Sequence, residues 1–156
     1  MNKNISPEQV VNIFNVCHKL GIETFAYFII GYIHETEETM MRTIDFARKL
    51  KADWYMFTVA TPLPCTVLFD LSVKKGLIAK DYWVRFVQSA STHKSVNKSA
   101  YRISLLAPHA DYYVRKAYFK TCLQPLFIFR KIRKIKSFND IMRMIKGAYA
   151  ILTVSF

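Results

Sequence analysis

The sequence predicts an α/β chain in which an incomplete unit of parallel strands and helices precedes a basic, helical C-terminal region. Two apolar runs rich in aromatic and branched residues, 24–33 and 54–60, are set apart by the length of a parallel strand-helix-strand crossover. The segment between them has the apolar period and the charge order of a helix. The third observation is charge. Residues 1–90 hold 10 Lys/Arg against 9 Asp/Glu, whereas residues 91–156 hold 13 against 2, so +11 of the net +12 sits in the last part.

Ser6-Pro7-Glu8-Gln9 opens the first helix with a Ser cap, Pro at the first helical position and Gln three residues past the cap. Val10, Phe14, Cys17 and Leu20 recur at helical spacing, and Gly21 ends the pattern as a left-handed residue does. The run 24–33 is apolar on both faces, which predicts a strand buried on both sides. The second helix has Glu35, Glu37 and Glu38 at its start and Arg48, Lys49 and Lys51 towards its end, as the helix dipole favours. Its inner stripe is Met40, Ile44, Ala47 and Leu50. Residues 54–60 form the second buried strand, Pro62 and Pro64 stop it, and Thr66 caps a short helix that closes at Gly76. Two parallel strands with both faces apolar do not finish a sheet. The unit therefore calls for strands from outside itself, supplied by a partner chain or by the rest of a longer protein.

The polar stretch 89–99 reads as a linker between residues 1–88, the α/β part, and residues 100–156, a basic helical tail. In the tail, helices are expected over residues 111–122 and from Pro125 onward. Ile128, Ile132 and Ile135 would face inward, with Arg130, Lys131, Arg133, Lys134 and Lys136 between them. Ser137 caps a last helix with Ile141, Ile145 and Ala148 inward.

A length of 156 residues with 52% apolar and 15% aromatic content supports a substantial core and excludes disorder as the main state. The longest apolar runs, 25–33 and 147–154, are less than half of the roughly 20 residues that a membrane-spanning helix needs. Cys17, Cys65 and Cys122 are widely scattered, which gives neither a disulfide framework nor a zinc ligand set. With no apolar signal stretch after Met1, a reducing cytoplasm is the expected location.

Two short motifs carry a family resemblance. The first strand runs into Gly31-Tyr32-Ile33-His34-Glu35-Thr36, and the second ends Thr61-Pro62-Leu63-Pro64-Cys65-Thr66. These resemble the Gly-x-Pro-Gly-Glu-Thr and Thr-Pro-x-Pro-Gly-Thr turns after late strands of the radical S-adenosylmethionine (SAM) barrel, in the cobalamin-binding branch similar to anaerobic magnesium-protoporphyrin IX monomethyl ester cyclase-like proteins. The resemblance continues through Asp81-Tyr82-Trp83, Arg115-Lys116-Ala117-Tyr118 and Gln124-Pro125, so it covers nearly the whole chain as the C-terminal portion of a longer protein.

The resemblance implies a half barrel of parallel strands, with SAM, a [4Fe-4S] cluster and, in that branch, cobalamin as cofactors. It implies reductive cleavage of SAM or a cobalamin-assisted methyl transfer on a hydrophobic substrate such as a tetrapyrrole or lipid. The cluster-binding Cys-x3-Cys-x2-Cys of that superfamily has no counterpart here, so the cluster belongs to a missing N-terminal half as partner. The implied cofactor-binding residues are Ile29 against the adenine, Gly31, His34 and Glu35 in the first turn, and Thr61, Pro62 and Pro64 in the second, with no catalytic residue in this chain.

The physics of the positions agrees, because parallel α/β folds place ligands at the carboxyl ends of their strands. Gly31 would admit a ligand close to the backbone, and the following helix N-terminus would favour an anionic group. His34 and Cys65 stand where the resembled motifs carry Gly, so a left-handed backbone there costs each on the order of 1 kcal/mol or more. Two readings fit these changes, a retuned pocket or a gene released from selection.

Plainer readings stand beside these. His34 reads first as an ordinary solvated loop histidine, Glu35 is explained by the helix dipole, Ile29 by strand packing and Cys17 by its place on an apolar helix stripe. Cys65 lies beside two prolines with nothing near it in sequence to make it a reactive thiol. The basic tail is a solvated helix face, a surface for anionic lipid at the inner membrane face, or a nucleic-acid contact. The last is disfavoured because no zinc finger, helix-turn-helix or aromatic RNA-binding signature accompanies the charge. A non-catalytic peripheral membrane or partner-binding module is therefore the alternative to a split enzyme subunit.

Overall fold

The computed structural model describes residues 4–89, 106–133, 135 and 137–153. Among them the element order is α1 (Pro7–Lys19), β1 (Phe25–Ile30), α2 (Glu37–Leu50), β2 (Trp54–Val59), α3 (Val67–Lys74), α4 (Tyr82–Ser89), α5 (Ala110–Cys122), α6 (Pro125–Arg133) and α7 (Phe138–Thr153). The linker expected over residues 89–99 lies, after Ser89, outside the described residues.

Local chemistry explains the element ends. The Ser6 hydroxyl accepts from the Gln9 N–H while the Gln9 side chain accepts from the Ser6 N–H, a full capping box with Pro7 at the first helical position. Thr66 caps α3 by accepting from the Phe69 N–H. Ser137 caps α7 by accepting from the Asp140 N–H, and its own N–H donates to the Asp140 carboxylate.

The two strands pair directly in one sheet. The Trp54 N–H donates to the Thr24 carbonyl (3.0 Å) and the Ala60 N–H to the Ile30 carbonyl (2.8 Å). The numbering offset between partners is the same at both ends, so the strands run parallel and α2 is their crossover.

The chain forms two compact units. One comprises the described residues up to Phe28, Met41–Phe57 and those from Arg115. Its core gathers Ala26, Leu50 and Ala52 with Val10, Val11 and Phe14 of α1 and Phe28, Phe46 and Tyr55 around them. Phe28 stacks on Phe57 across the strands (5.3 Å between ring centroids), and Tyr118 of α5 meets the Phe57 ring edge-on (5.2 Å). The other unit comprises Ile29–Met40 and the described part of Thr58–Val114, and it contains both strand-end loops. Ile30, Ile33, Val59, Pro62, Ile78, Ala107 and Ala110 are buried in it.

Three expectations are corrected. The strands are not buried on both sides: Phe25, Tyr27 and Ile29 alternate with Ala26, Phe28 and Ile30, and Tyr27 is 69% exposed. On β2, Trp54 and Met56 are exposed while Phe57 and Val59 are buried. Among the described residues, Ala26, Ile30, Phe57 and Val59 on one face of the sheet are buried, while Phe25, Tyr27, Ile29, Trp54 and Met56 on the other are exposed. The second correction concerns α6, where Ile128 and Ile132 face outward and Phe127 and Lys131 face the sheet residues Tyr55 and Trp54. The third is α7, where Ile141 and Ile145 are exposed rather than inward; the Ala148 side chain lies outside the described part. Sequence period locates an apolar helix stripe, but not whether a neighbour exists to cover it.

Candidate functional site

Both motif loops start side by side, where the Ala60 N–H joins the Ile30 carbonyl at the carboxyl ends of β1 and β2. The first loop is held by one carboxylate. Glu35 Oε2 accepts from the Gly31 N–H (2.6 Å) and the Tyr32 N–H (2.8 Å), and the Glu35 N–H donates to the Tyr32 carbonyl (2.9 Å). Thr36 then leads into α2 by accepting from the Thr39 N–H, while its own N–H donates to the Thr39 hydroxyl (2.9 Å). Glu35 thus shapes the loop through the backbone amides that an incoming anion would otherwise use.

Gly31 is buried with φ +82°, and a Cβ placed on it would clash with the Ala110 side chain at the start of α5. The room that the sequence reserves for a ligand at Gly31 is therefore filled by Ala110, and glycine is required here by packing as well as by its backbone angle. His34 is exposed at φ +72°. Ile29, 47% exposed, is the last outward residue of β1.

The second loop is pinned from two sides. Pro62 is buried, and its carbonyl accepts from the Trp83 indole N–H of α4 (2.7 Å). The Thr61 hydroxyl donates to the Val59 carbonyl (3.2 Å), and the Thr66 hydroxyl donates to the Leu63 carbonyl (2.6 Å). Pro64 is exposed, as is Cys65 at φ +61°. The predicted residues thus separate into two groups. Gly31, Glu35, Thr61 and Pro62 build the loops, whereas Ile29, His34 and Pro64 present side chains outward.

Sequence reading missed the contacts that Trp83 and Ala110 make. A tryptophan two residues into a short helix gives no sign of its hydrogen-bond partner, and an alanine gives no sign that it faces a glycine. Both contacts join segments far apart in the chain.

Among the described residues, no group of three or more His, Cys, Asp or Glu side chains is placed to hold a metal ion. Cys17 and Cys122 are half-buried in helices and Cys65 sits in a loop, so the cysteines of this chain do not fit an iron-sulfur cluster. No helix among the described residues is long and apolar enough to cross a membrane.

The candidate site is thus a pair of loops at the carboxyl ends of two parallel strands, the position at which α/β folds commonly place ligands. The chain is 31% identical over 147 residues to an uncharacterized methyltransferase of Pyrococcus horikoshii, a match that takes in 94% of this chain and 30% of that protein. It spans less than a third of the length of the curated relative it matches. No protein-family model matches the sequence.

Proposed function

We propose that this chain is the C-terminal portion, or a separate subunit, of a SAM-dependent methyltransferase of radical SAM type, and that its two strand-end loops form one wall of the SAM and substrate pocket. The observation that carries the reading is the backbone at His34 and Cys65. Both stand where the resembled motifs have glycine, and both adopt left-handed angles, φ +72° and +61°, the region that glycine favours. The similarity to a protein named a methyltransferase supports the same class.

In this reading Ile29 offers an apolar surface to the adenine, and the loops bearing His34, Thr61 and Pro64 line the pocket beside it. SAM supplies the transferable methyl group when bound. Glu35, the Trp83 indole and Thr66 hold the loops in place before any ligand arrives, which lowers the ordering cost of binding. The cluster and any cobalamin would be held by another polypeptide.

A photoactivatable SAM analogue tests this in the complex with a polypeptide carrying Cys-x3-Cys-x2-Cys. Crosslinks within residues 29–36 and 61–66 are expected. Crosslinks confined to other segments, or SAM cleavage by this chain alone after reconstitution with iron and sulfide, would sink the reading.

A second reading rests on a different observation. Leu126, Phe129 and Ile132 of α6 and Phe138, Ile141, Ile145 and Tyr149 of α7 are exposed at helical spacing, with the exposed cations Arg133 and Lys146 beside them. This is the composition of a helix lying on an anionic lipid surface. Sedimentation with phosphatidylcholine vesicles, with and without phosphatidylglycerol, tests it. Equal binding to both, or preference for duplex DNA at matched salt, would count against it.

A further inference from the structure

The open face of the sheet is aromatic as well as apolar. Side chains alternate along a strand, so Phe25 and Tyr27 of β1 share a face with Trp54 and Met56 of β2. The bonds from Trp54 to Thr24 and from Ala60 to Ile30 set the register, which puts Trp54 beside Phe25 and Met56 beside Tyr27. All four side chains are exposed, at 42% or more. Phe25 and Tyr27 already stack on each other (4.6 Å between ring centroids, 18° between planes), and Tyr27 is 69% exposed, so most of its ring remains open to a further partner.

Cations border the same face. The Tyr118 hydroxyl of α5 accepts from the Phe57 N–H (3.1 Å) and donates to the Phe57 carbonyl (3.4 Å), which closes the outer edge of β2. α6 lies against β2 as well. Its Phe127 ring meets Tyr55 (5.9 Å), whereas Lys131 reaches the open face and seats its Nζ 3.2 Å from the Trp54 ring centroid. Arg130 donates to the carbonyl of Lys51, the exposed residue after α2, and so brings that third cation to the start of β2. No acidic residue lies in α6. Lys51, Arg130 and Lys131 thus form a positive rim beside three aromatic rings. No linear motif announces this surface, because its rings come from two separate strands and its rim from two separate helices.

We propose that the open face of the β1–β2 sheet binds single-stranded nucleic acid, with bases stacked on Tyr27, Phe25 and Trp54 and phosphates along Lys51, Arg130 and Lys131. Stacking rings beside a cationic track are the two parts that such binding needs, and the stacking is tolerant of sequence because every base has a π-face. A duplex suits the surface less well, since pairing hides the base faces within the helix. Lipid suits it less well too: an acyl chain has no planar group to extend the Phe25–Tyr27 stack. The inference goes beyond the pocket reading and does not depend on it, because none of these residues belongs to the strand-end loops.

The test is fluorescence anisotropy on the full chain with a labelled oligothymidylate about 15 nucleotides long, and with the duplex it forms with oligodeoxyadenylate, over a series of salt concentrations. The single strand is expected to bind, and the duplex to bind about tenfold more weakly at the same salt. Tyr27→Ala and Trp54→Ala should each weaken single-strand binding by about tenfold with the salt slope unchanged, whereas Tyr27→Phe should bind as the parent chain does. Lys131→Gln should lower the slope of log K against log salt by about 0.7. Far-ultraviolet dichroism and thermal unfolding of each variant check that it folds. Tyr27 is the safer site, being on the surface. With iodinated uracil in the strand, ultraviolet crosslinks should fall on Phe25, Tyr27 and Trp54.

A duplex bound as tightly as the single strand, or a folded Tyr27→Ala variant with the parent affinity, would leave charge alone as the cause and overturn the proposal. So would crosslinks confined to α7, or no binding of the oligonucleotide. Phosphatidylglycerol vesicles whose binding Tyr27→Ala weakens, in a chain that ignores the oligonucleotide, would assign the face to lipid instead.

Discussion

Thr24 and Asp53 lock the amino ends of the two strands together. Asp53 Oδ2 accepts from both the N–H (3.0 Å) and the hydroxyl (3.1 Å) of Thr24, and the Thr24 hydroxyl accepts from the Asp53 N–H (3.2 Å). Both residues are buried. The lock sets the register of the β1–β2 pair at the end opposite the motif loops.

Removing that carboxylate leaves the buried N–H and hydroxyl of Thr24 without their acceptor. Asp53→Ala is expected to destabilise the chain by about 2–3 kcal/mol, and Asp53→Asn, which keeps an acceptor oxygen, by about 1 kcal/mol. Urea midpoints at constant slope check this; equal losses for the two variants would show that packing, not hydrogen bonding, carries the contact.

Gly31 and Gly76 both have positive φ, +82° and +68°, but only Gly31 has a neighbour in the way. Gly31→Ala is expected to cost about 2–4 kcal/mol, from backbone strain and from the clash with Ala110. Gly76→Ala meets open space and should cost only the strain, about 1 kcal/mol. Thermal unfolding of the two variants side by side makes the comparison.

His34 and Cys65 hold left-handed angles that strain a residue with a side chain. His34→Gly and Cys65→Gly should each stabilise the fold by about 0.5–1 kcal/mol, and the two effects should add because the loops are fixed by separate contacts. A denaturation series on both singles and the double would test additivity. Loss of stability on either change would mean that the side chain makes a contact worth more than the strain.

Burial raises the Tyr55 phenol above its ordinary value, against a smaller opposing effect of the Ala52 backbone, and burial likewise raises the Cys122 thiol, opposed by Thr121 and Lys131. Both groups are held more firmly in their neutral, protonated forms in the folded chain than in the unfolded one. Their stabilisation is complete below the ordinary values of 9.0 for the thiol and 10.0 for the phenol, and is lost as pH rises through the raised ones. Stability should therefore fall on the alkaline side from about pH 9 upward, and Tyr55→Phe should flatten the upper part of that fall. In native protein the exposed Cys65 should react with iodoacetamide well before Cys122.

The sequence by itself determined the elements and their punctuation. The capping box at Ser6, the Thr66 cap, the buried stripe Met40, Ile44, Ala47 and Leu50, and two short strands in parallel order all follow from local propensity and period, which are written residue by residue. The left-handed angles at His34 and Cys65 were expected only through the resemblance of the two loops to glycine-bearing family turns, and the structure has them. The tertiary structure alone decided which apolar surfaces are covered. Phe25 and Ala26, or Phe127 and Ile128, are similar in hydropathy, and only the arrival of helices from distant parts of the chain makes one inward and the other exposed. It also decided that Ala110 fills the space over Gly31, that Trp83 holds Pro62 and that Tyr118 closes β2. These contacts join residues far apart along the chain, and no local pattern encodes such a pairing.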